Sequence, residues 1–134
     1  MKITLKKPLD WCIVSQPFGV NYVNFYQELG LKGHNGIDFR CYEAPIFACF
    51  DGIVKYAGVY DDGGIGIEIT STQSDGTSFI RAIYYHLKSV SVKAGDKVLA
   101  GQPMGISDNT GKYTTGNHLH FGIKRCDMYG NTLN

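Results

Sequence analysis

The sequence predicts an all-β domain built mainly from antiparallel sheets, barrel- or sandwich-like, with little helix. Three observations carry this. Short apolar runs recur about every ten residues, as in small β-sandwiches and barrels. Seventeen glycines punctuate 134 residues, many of them in turn dipeptides. Ile65-Gly66-Ile67-Glu68-Ile69-Thr70 alternates with the period of two that a half-buried strand requires.

The elements follow in order. Residues 1–33 read as loops, with a turn or two of helix near 21–29. Pro45-Ile46-Phe47-Ala48-Cys49-Phe50 is a short apolar run that leads through Asp51-Gly52 into a strand over 53–58. Asp61-Asp62-Gly63-Gly64 is a loop, and 65–70 the next strand. Ser74-Asp75-Gly76-Thr77 suits a hairpin turn, with 79–86 as the returning strand that ends at His86. Further short strands fall at 90–92, 97–99, 103–106 and 118–123. The whole chain, 1–134, reads as a single domain, with the motif-bearing β core at 34–123.

Composition narrows the function. Apolar residues make up 43% and charged residues 19%, which fits an ordered globular chain with a real core. A net charge of +1 is too small for a broad nucleic-acid footprint, so no nucleic-acid partner is expected. No run approaches the roughly 20 apolar residues of a membrane span. The first residues, Met1-Lys2-Ile3-Thr4-Leu5-Lys6-Lys7-Pro8, carry charge without an apolar stretch, so no signal peptide is expected. Cys12, Cys41, Cys49 and Cys126 form no Cys-x-x-Cys pair and are expected as buried thiols; their even number leaves disulfides open without assigning a pairing.

The four histidines fall in three short clusters. In His118-Leu119-His120 the two imidazoles are two residues apart, so on a strand they face one side, about 7 Å apart at the backbone. Leu119 and Phe121 would then face the core; the plainer alternative is two polar side chains on a solvent face. His34 and Asp38 are four apart. Asn35-Gly36 opposes a helix, but on an extended segment 34, 36 and 38 share a face, with Gly36 leaving room for a close approach. A turn with Asp38 capping backbone amides is the alternative. His86 by itself is ordinary; it gains weight because no histidine is left over.

A catalytic zinc takes three protein ligands and keeps a fourth position for water. His34, Asp38 and one of the 118/120 pair would suffice, leaving two imidazoles for proton transfer or oxyanion stabilisation. From the residues alone, the expectation is a zinc hydrolase acting on a carbonyl substrate.

Five segments then occur in one order: His34-Asn-Gly-Ile-Asp38-Phe; residues 44–58, Ala-Pro-Ile-Phe-Ala-Cys-Phe-Asp-Gly-Ile-Val-Lys-Tyr-Ala-Gly; Tyr85-His86-Leu87; residues 92–105, Val-Lys-Ala-Gly-Asp-Lys-Val-Leu-Ala-Gly-Gln-Pro-Met-Gly; and Thr115-Gly-Asn-His118-Leu-His120-Phe. Over residues 34–123 the chain resembles the lysostaphin/LytM-type zinc endopeptidases, which cut peptidoglycan peptides. The resemblance implies an antiparallel β fold with a narrow groove over one Zn2+ ion. It implies His34, Asp38 and His120 as ligands and His86 and His118 as catalytic imidazoles. It implies a peptidoglycan peptide as partner and action outside the cytoplasm. The lack of a signal peptide and the small size suit a phage-borne lysin or a domain of a virion tail enzyme, with an exported bacterial enzyme as the runner-up, and the isolated domain is expected to be a monomer. Loops 59–63 and 109–117 would wall the groove. Nothing in 18–33 aligns with the family: Tyr22, Phe25 and Tyr26 line the groove or pack, and neither Asn21 nor Asn24 is assigned as the extra ligand of latent members.

Two other classes compete. One is a wall-binding or activator module with a dead site, which the presence of both candidate bases opposes. The other is a lipoyl/biotinyl-like carrier, suggested by 92–105, which lacks a second half-domain with an exposed hairpin lysine and leaves four histidines unexplained.

Overall fold

The structure, a computed structural model, describes residues 5–10, 12–16, 36–74, 76–108 and 117–133. Among the described residues, nine strands form one antiparallel sheet: β1 (Ile13–Gln16), β2 (Ile37–Arg40), β3 (Pro45–Phe47), β4 (Gly52–Val59), β5 (Ile65–Ser71), β6 (Phe79–Val90), β7 (Lys97–Val98), β8 (Pro103–Ser107) and β9 (His118–Cys126). The main path runs β1-β2-β9-β6-β5-β4-β7, and β3 joins through β8, which pairs with β6. Among the described residues there is no helix, so none is long and apolar enough to cross a membrane. The helix expected near 21–29 lies outside the described residues.

The all-β antiparallel class is as expected, with corrections to individual elements. Residues 1–33 are not all loop, because Ile13–Gln16 pairs with β2. No separate strand forms at 90–92; Val90 is the last residue of β6. That strand does not stop at His86 but continues for four residues, because a second partner is waiting. Through Tyr85 its neighbour on one side is β9; from Leu87 onward it is β8.

Period-two patterning explains the core. Ile67 and Ile69 of β5, Ala82 and Tyr84 of β6, and Leu119 of β9 are fully buried, and Phe121 is buried beside them. Ile46, Val54, Leu87, Val98 and Met104 belong to the same cluster, so the β3–β8 branch packs its apolar side onto the core of the main path. The Tyr84 ring lies 5.2 Å from Phe121, which lies 6.3 Å from Phe39. None of the four cysteines is in a disulfide. Cys49 and Cys126 are buried as expected, whereas Cys41 is partly exposed and Cys12 exposed.

Tyr84 is the one large polar group in this cluster, and its hydroxyl accepts a hydrogen bond from the Cys49 N–H at 2.9 Å. Burial pushes the Tyr84 phenol well above its ordinary 10.0 and the Cys49 thiol up to about 11. Both are acids whose protons the folded chain holds more tightly than the unfolded one. Their contribution to stability is therefore complete below the ordinary thiol and phenol values and is lost as pH rises through the folded ones. Stability measured by urea unfolding is expected to be level up to about pH 9 and to fall above it. Tyr84→Phe leaves the Cys49 N–H without this acceptor and is expected to cost about 1–3 kcal/mol at neutral pH. An unchanged urea midpoint would contradict the role given to this bond.

Candidate metal and catalytic centre

Four of the five predicted site residues meet on the face of the sheet opposite the core. His34 lies outside the described residues. Register does most of the work: Asp38 of β2 pairs with His120 of β9, and His120 pairs on its other side with Tyr85 of β6. Directly paired residues share a face, so the Asp38 carboxylate, the His120 imidazole and the Tyr85 ring all project to one side. His118, two residues from His120, joins them, while Leu119 turns into the core. The solvent-face alternative for the histidine pair does not hold, since His118 is buried and His120 only partly exposed. Nor is Asp38 in a turn; it sits within β2 and is buried.

His86 arrives by a different route. On β5 the partners run Gly66↔Tyr85 and then Ile65↔Leu87, so His86 is the extra residue of a β-bulge. Its φ is +68°, in the left-handed region that a non-glycine side chain rarely adopts. Tyr84 and Leu87, three apart, both face the core, which leaves Tyr85 and His86 to face the site together. The His86 ring lies 4.7 Å from Tyr85, 4.6 Å from His118 and 6.2 Å from His120 by ring centroids. A main-chain link fixes this corner. The Asp108 N–H donates to the His86 carbonyl at 2.8 Å, and the Asp108 carbonyl accepts from the His118 N–H at 3.4 Å.

The donor atoms converge. Nδ1 of His120 is 3.0 Å from Oδ1 of Asp38, and Nε2 of His118 is 3.5 Å from Oδ2. Two donors on a tetrahedral zinc stand about 3.3 Å apart, because each is about 2.0–2.1 Å from the ion. The Asp38–His120 pair is of the donor types that a divalent cation takes, and at 3.0 Å the two are in hydrogen-bond contact, slightly closer than two donors on one zinc. Among the described residues no three His, Cys, Asp or Glu side chains form a complete metal-holding group. Gly36 makes room for the pair: a Cβ placed there would lie 2.9 Å from His120 Nε2 and 2.6 Å from the Phe121 carbonyl oxygen. The close approach expected at this glycine is that of the His120 ring and the β9 backbone.

A wall of rings extends from His86. Tyr60 stands edge-on to Tyr85 at 5.1 Å and to Tyr56 at 4.8 Å. The Tyr85 hydroxyl donates to Oδ1 of Asp62, which also accepts from the Gly64 N–H at 2.9 Å. Burial, with Glu68 adding to it, pushes the Tyr60 phenol up to about 12. In the sequence, loop 59–63 is marked only as a groove wall and Tyr85 only as part of the Tyr85-His86-Leu87 segment; its place in the wall is not marked there. Its signal was the alternation Gly64-Ile65-Gly66, which leaves bare backbone where two rings lie. Loop 109–117 falls outside the described residues except for Asn117, as do Tyr22, Phe25 and Tyr26.

Among the described residues, an antiparallel sheet gathers a carboxylate and three imidazoles on one face. Residues 32–134 match the model of peptidase family M23, and the chain belongs to that family. It is 44% identical over 96 residues to glycyl-glycine endopeptidase ALE-1 of Staphylococcus capitis, an overlap of 69% of this chain and 25% of that protein. It is 38% identical over 91 residues to the peptidoglycan DD-endopeptidase ShyA of Vibrio cholerae, covering 67% of this chain and 20% of that one. The chain thus spans a quarter or less of the length of these curated relatives. Among solved structures, the catalytic domain of the antimicrobial peptidase lysostaphin from Staphylococcus simulans superposes with a TM-score of 0.72 at 29% identity, over 96% of this chain and 90% of that one. A zinc-containing peptidase from Vibrio cholerae gives 0.73 at 25% identity, over 98% and 39%.

Gly36→Ala forces β2 and β9 apart where Asp38 and His120 are paired. The expected result is a stability loss of about 1–3 kcal/mol in urea, with displaced His120 imidazole resonances in the NMR spectrum. Unmoved resonances would show that the space at Gly36 does not matter.

Proposed function

We propose that this chain is a zinc-dependent endopeptidase that hydrolyses amide bonds in the peptide stems or cross-bridges of bacterial peptidoglycan. The observation that carries the proposal is the convergence of Asp38 and His120 donor atoms with the His86 and His118 rings packed beside them on the same face. The names of the relatives point the same way, toward glycyl-glycine and peptidoglycan DD-endopeptidases. Residues 1–134 act as one monomeric unit, outside the cytoplasm, where the wall lies; both a phage lysin and an exported bacterial enzyme meet it there.

His34, Asp38 and His120 would hold one zinc ion. When bound, zinc supplies Lewis acidity, polarising a carbonyl and making water acidic enough to react near neutral pH. The rest is the work of two imidazoles. One takes the proton of the attacking water, and the other steadies the developing oxyanion and hands a proton to the leaving amine. His86 and His118 suit these tasks because their rings pack 4.6 Å apart beside the donor pair. Asp38 serves twice: Oδ1 faces His120, while Oδ2 lies 3.5 Å from Nε2 of His118 and helps hold that ring.

Two measurements test this. Purified sacculi, one set directly cross-linked and one glycine-bridged, are incubated with the protein and the fragments weighed. Release of fragments with new amino termini from at least one set is expected, and its mass gives the bond cut. Sacculi that bind the protein without new termini would indicate an inert wall-binding module. In metal analysis, His34→Ala, Asp38→Ala and His120→Ala are expected to lose zinc. His86→Ala and His118→Ala should keep it while activity falls by about 10²–10⁴-fold. Full zinc retention by Asp38→Ala would overturn the ligand assignment.

A further inference from the structure

We infer that Tyr85, clamped by Asp62 and seated on Gly64 and Gly66, is a positioning residue that holds the His86 imidazole in its working orientation. The inference rests on the peptidase reading for its functional consequence, but its geometry stands by itself. Neighbouring residues of a strand normally point to opposite faces. Here the bulge puts Tyr85 and His86 on the same face with ring centroids 4.7 Å apart and planes at 68°, an edge-to-face contact. A left-handed backbone at His86 is costly, and such a conformation persists only where its surroundings hold it.

Tyr85 is itself held on three sides. Its hydroxyl donates to Asp62. Its ring meets Tyr60 edge-on. Beneath it, Gly64 and Gly66 present bare backbone: a Cβ at Gly66 would lie 3.0 Å from Tyr85 Cδ2 and 2.9 Å from Tyr60 Cε1, and one at Gly64 would collide with the Tyr85 phenol. Asp62 is in turn fixed by a tight loop, in which the Gly64 carbonyl accepts from the Tyr60 N–H at 2.7 Å and the Tyr60 carbonyl accepts from the Gly63 N–H at 2.9 Å. The loop from 60 to 64 thus sets a phenol, the phenol sets a ring, and the ring limits where the imidazole next to it can turn. A catalytic group misplaced by about 1 Å loses on the order of 10²-fold in rate, so this wall acts on turnover more than on substrate binding.

The test uses Tyr85→Ala, Tyr85→Phe and Asp62→Ala with two readouts. Initial rates are taken against the concentration of sacculi that the unaltered protein digests. Tyr85→Ala is expected to lower kcat by about 10–10²-fold with KM within about twofold. Tyr85→Phe, which keeps the ring, should recover most of that loss. The second readout is the set of His86 ring-proton resonances in zinc-free protein, identified by their disappearance in His86→Ala. These should move in Tyr85→Ala and move less, by similar amounts, in Asp62→Ala and Tyr85→Phe, which both lose the bond between the hydroxyl and the carboxylate but keep the ring. If Tyr85→Ala does not fold, Asp62→Ala carries the test. Unmoved His86 resonances with an unchanged kcat would overturn the inference. Failure of the unaltered protein to cut either kind of sacculus would instead overturn the peptidase reading, and the resonances would still decide whether Tyr85 orients His86.

Discussion

One extra residue in β6 governs the geometry of the site. Were the strand regular through His86, that side chain would alternate away from Tyr85 and point into the core, where Tyr84 and Leu87 now lie. The bulge opposite Ile65 and Gly66 removes the conflict. It lets two successive residues face the site and returns the strand to its apolar side at Leu87, which is fully buried. The same residue marks where β6 exchanges β9 for β8. The break that admits the imidazole is thus also the corner at which the sheet divides, and bulges are favoured at such corners because they bend the strand and re-aim a side chain.

The remaining side chains depend on ordinary antiparallel register. Asp38, His120 and Tyr85 stand abreast on β2, β9 and β6, so a slip of one residue on any of these strands would send its group into the core. Apolar side chains guard against that slip. Phe39, Leu119, Phe121 and Tyr84 occupy the alternate positions and are buried together. The polar cluster is therefore positioned by the hydrophobic pattern of the strands beneath it. The metal-ligand and proton-transfer roles assigned to it use a frame that packing has already set.

How much of this could be read in the sequence depended on distance along the chain. The shared face of His118 and His120 was legible because period two is local, and Leu119 and Phe121 confirmed which side was apolar. The extended form of 36–38 was legible as one of two options, since Asn35-Gly36 disfavours a helix but does not choose between turn and strand. The pairing of Asp38 with His120 was not, because nothing local specifies a contact across 82 residues; the ordered family motifs supplied that link. The bulge at His86 was missed for a related reason. Tyr84-Tyr85-His86-Leu87 has no glycine or turn residue to announce an irregularity, and the cause lies in the partners on both sides. The glycines at 64 and 66 were visible as turn formers, but their service as a seat for Tyr60 and Tyr85 required knowing which rings lie above them. Asp108 acts through its main chain alone and left no side-chain signal.

In the proposed reading, one cation is held from the β2–β9 side while the imidazoles of His86 and His118 flank it without binding. Anomalous diffraction at the zinc edge, from crystals grown with the metal, tests it most directly. A single strong peak is expected about 2.0–2.2 Å from a carboxylate oxygen of Asp38 and from Nδ1 of His120, with the His86 and His118 rings facing it beyond bonding distance. A peak bonded to His86 or His118 in place of Asp38 and His120, or no peak beside Asp38 at all, would contradict it.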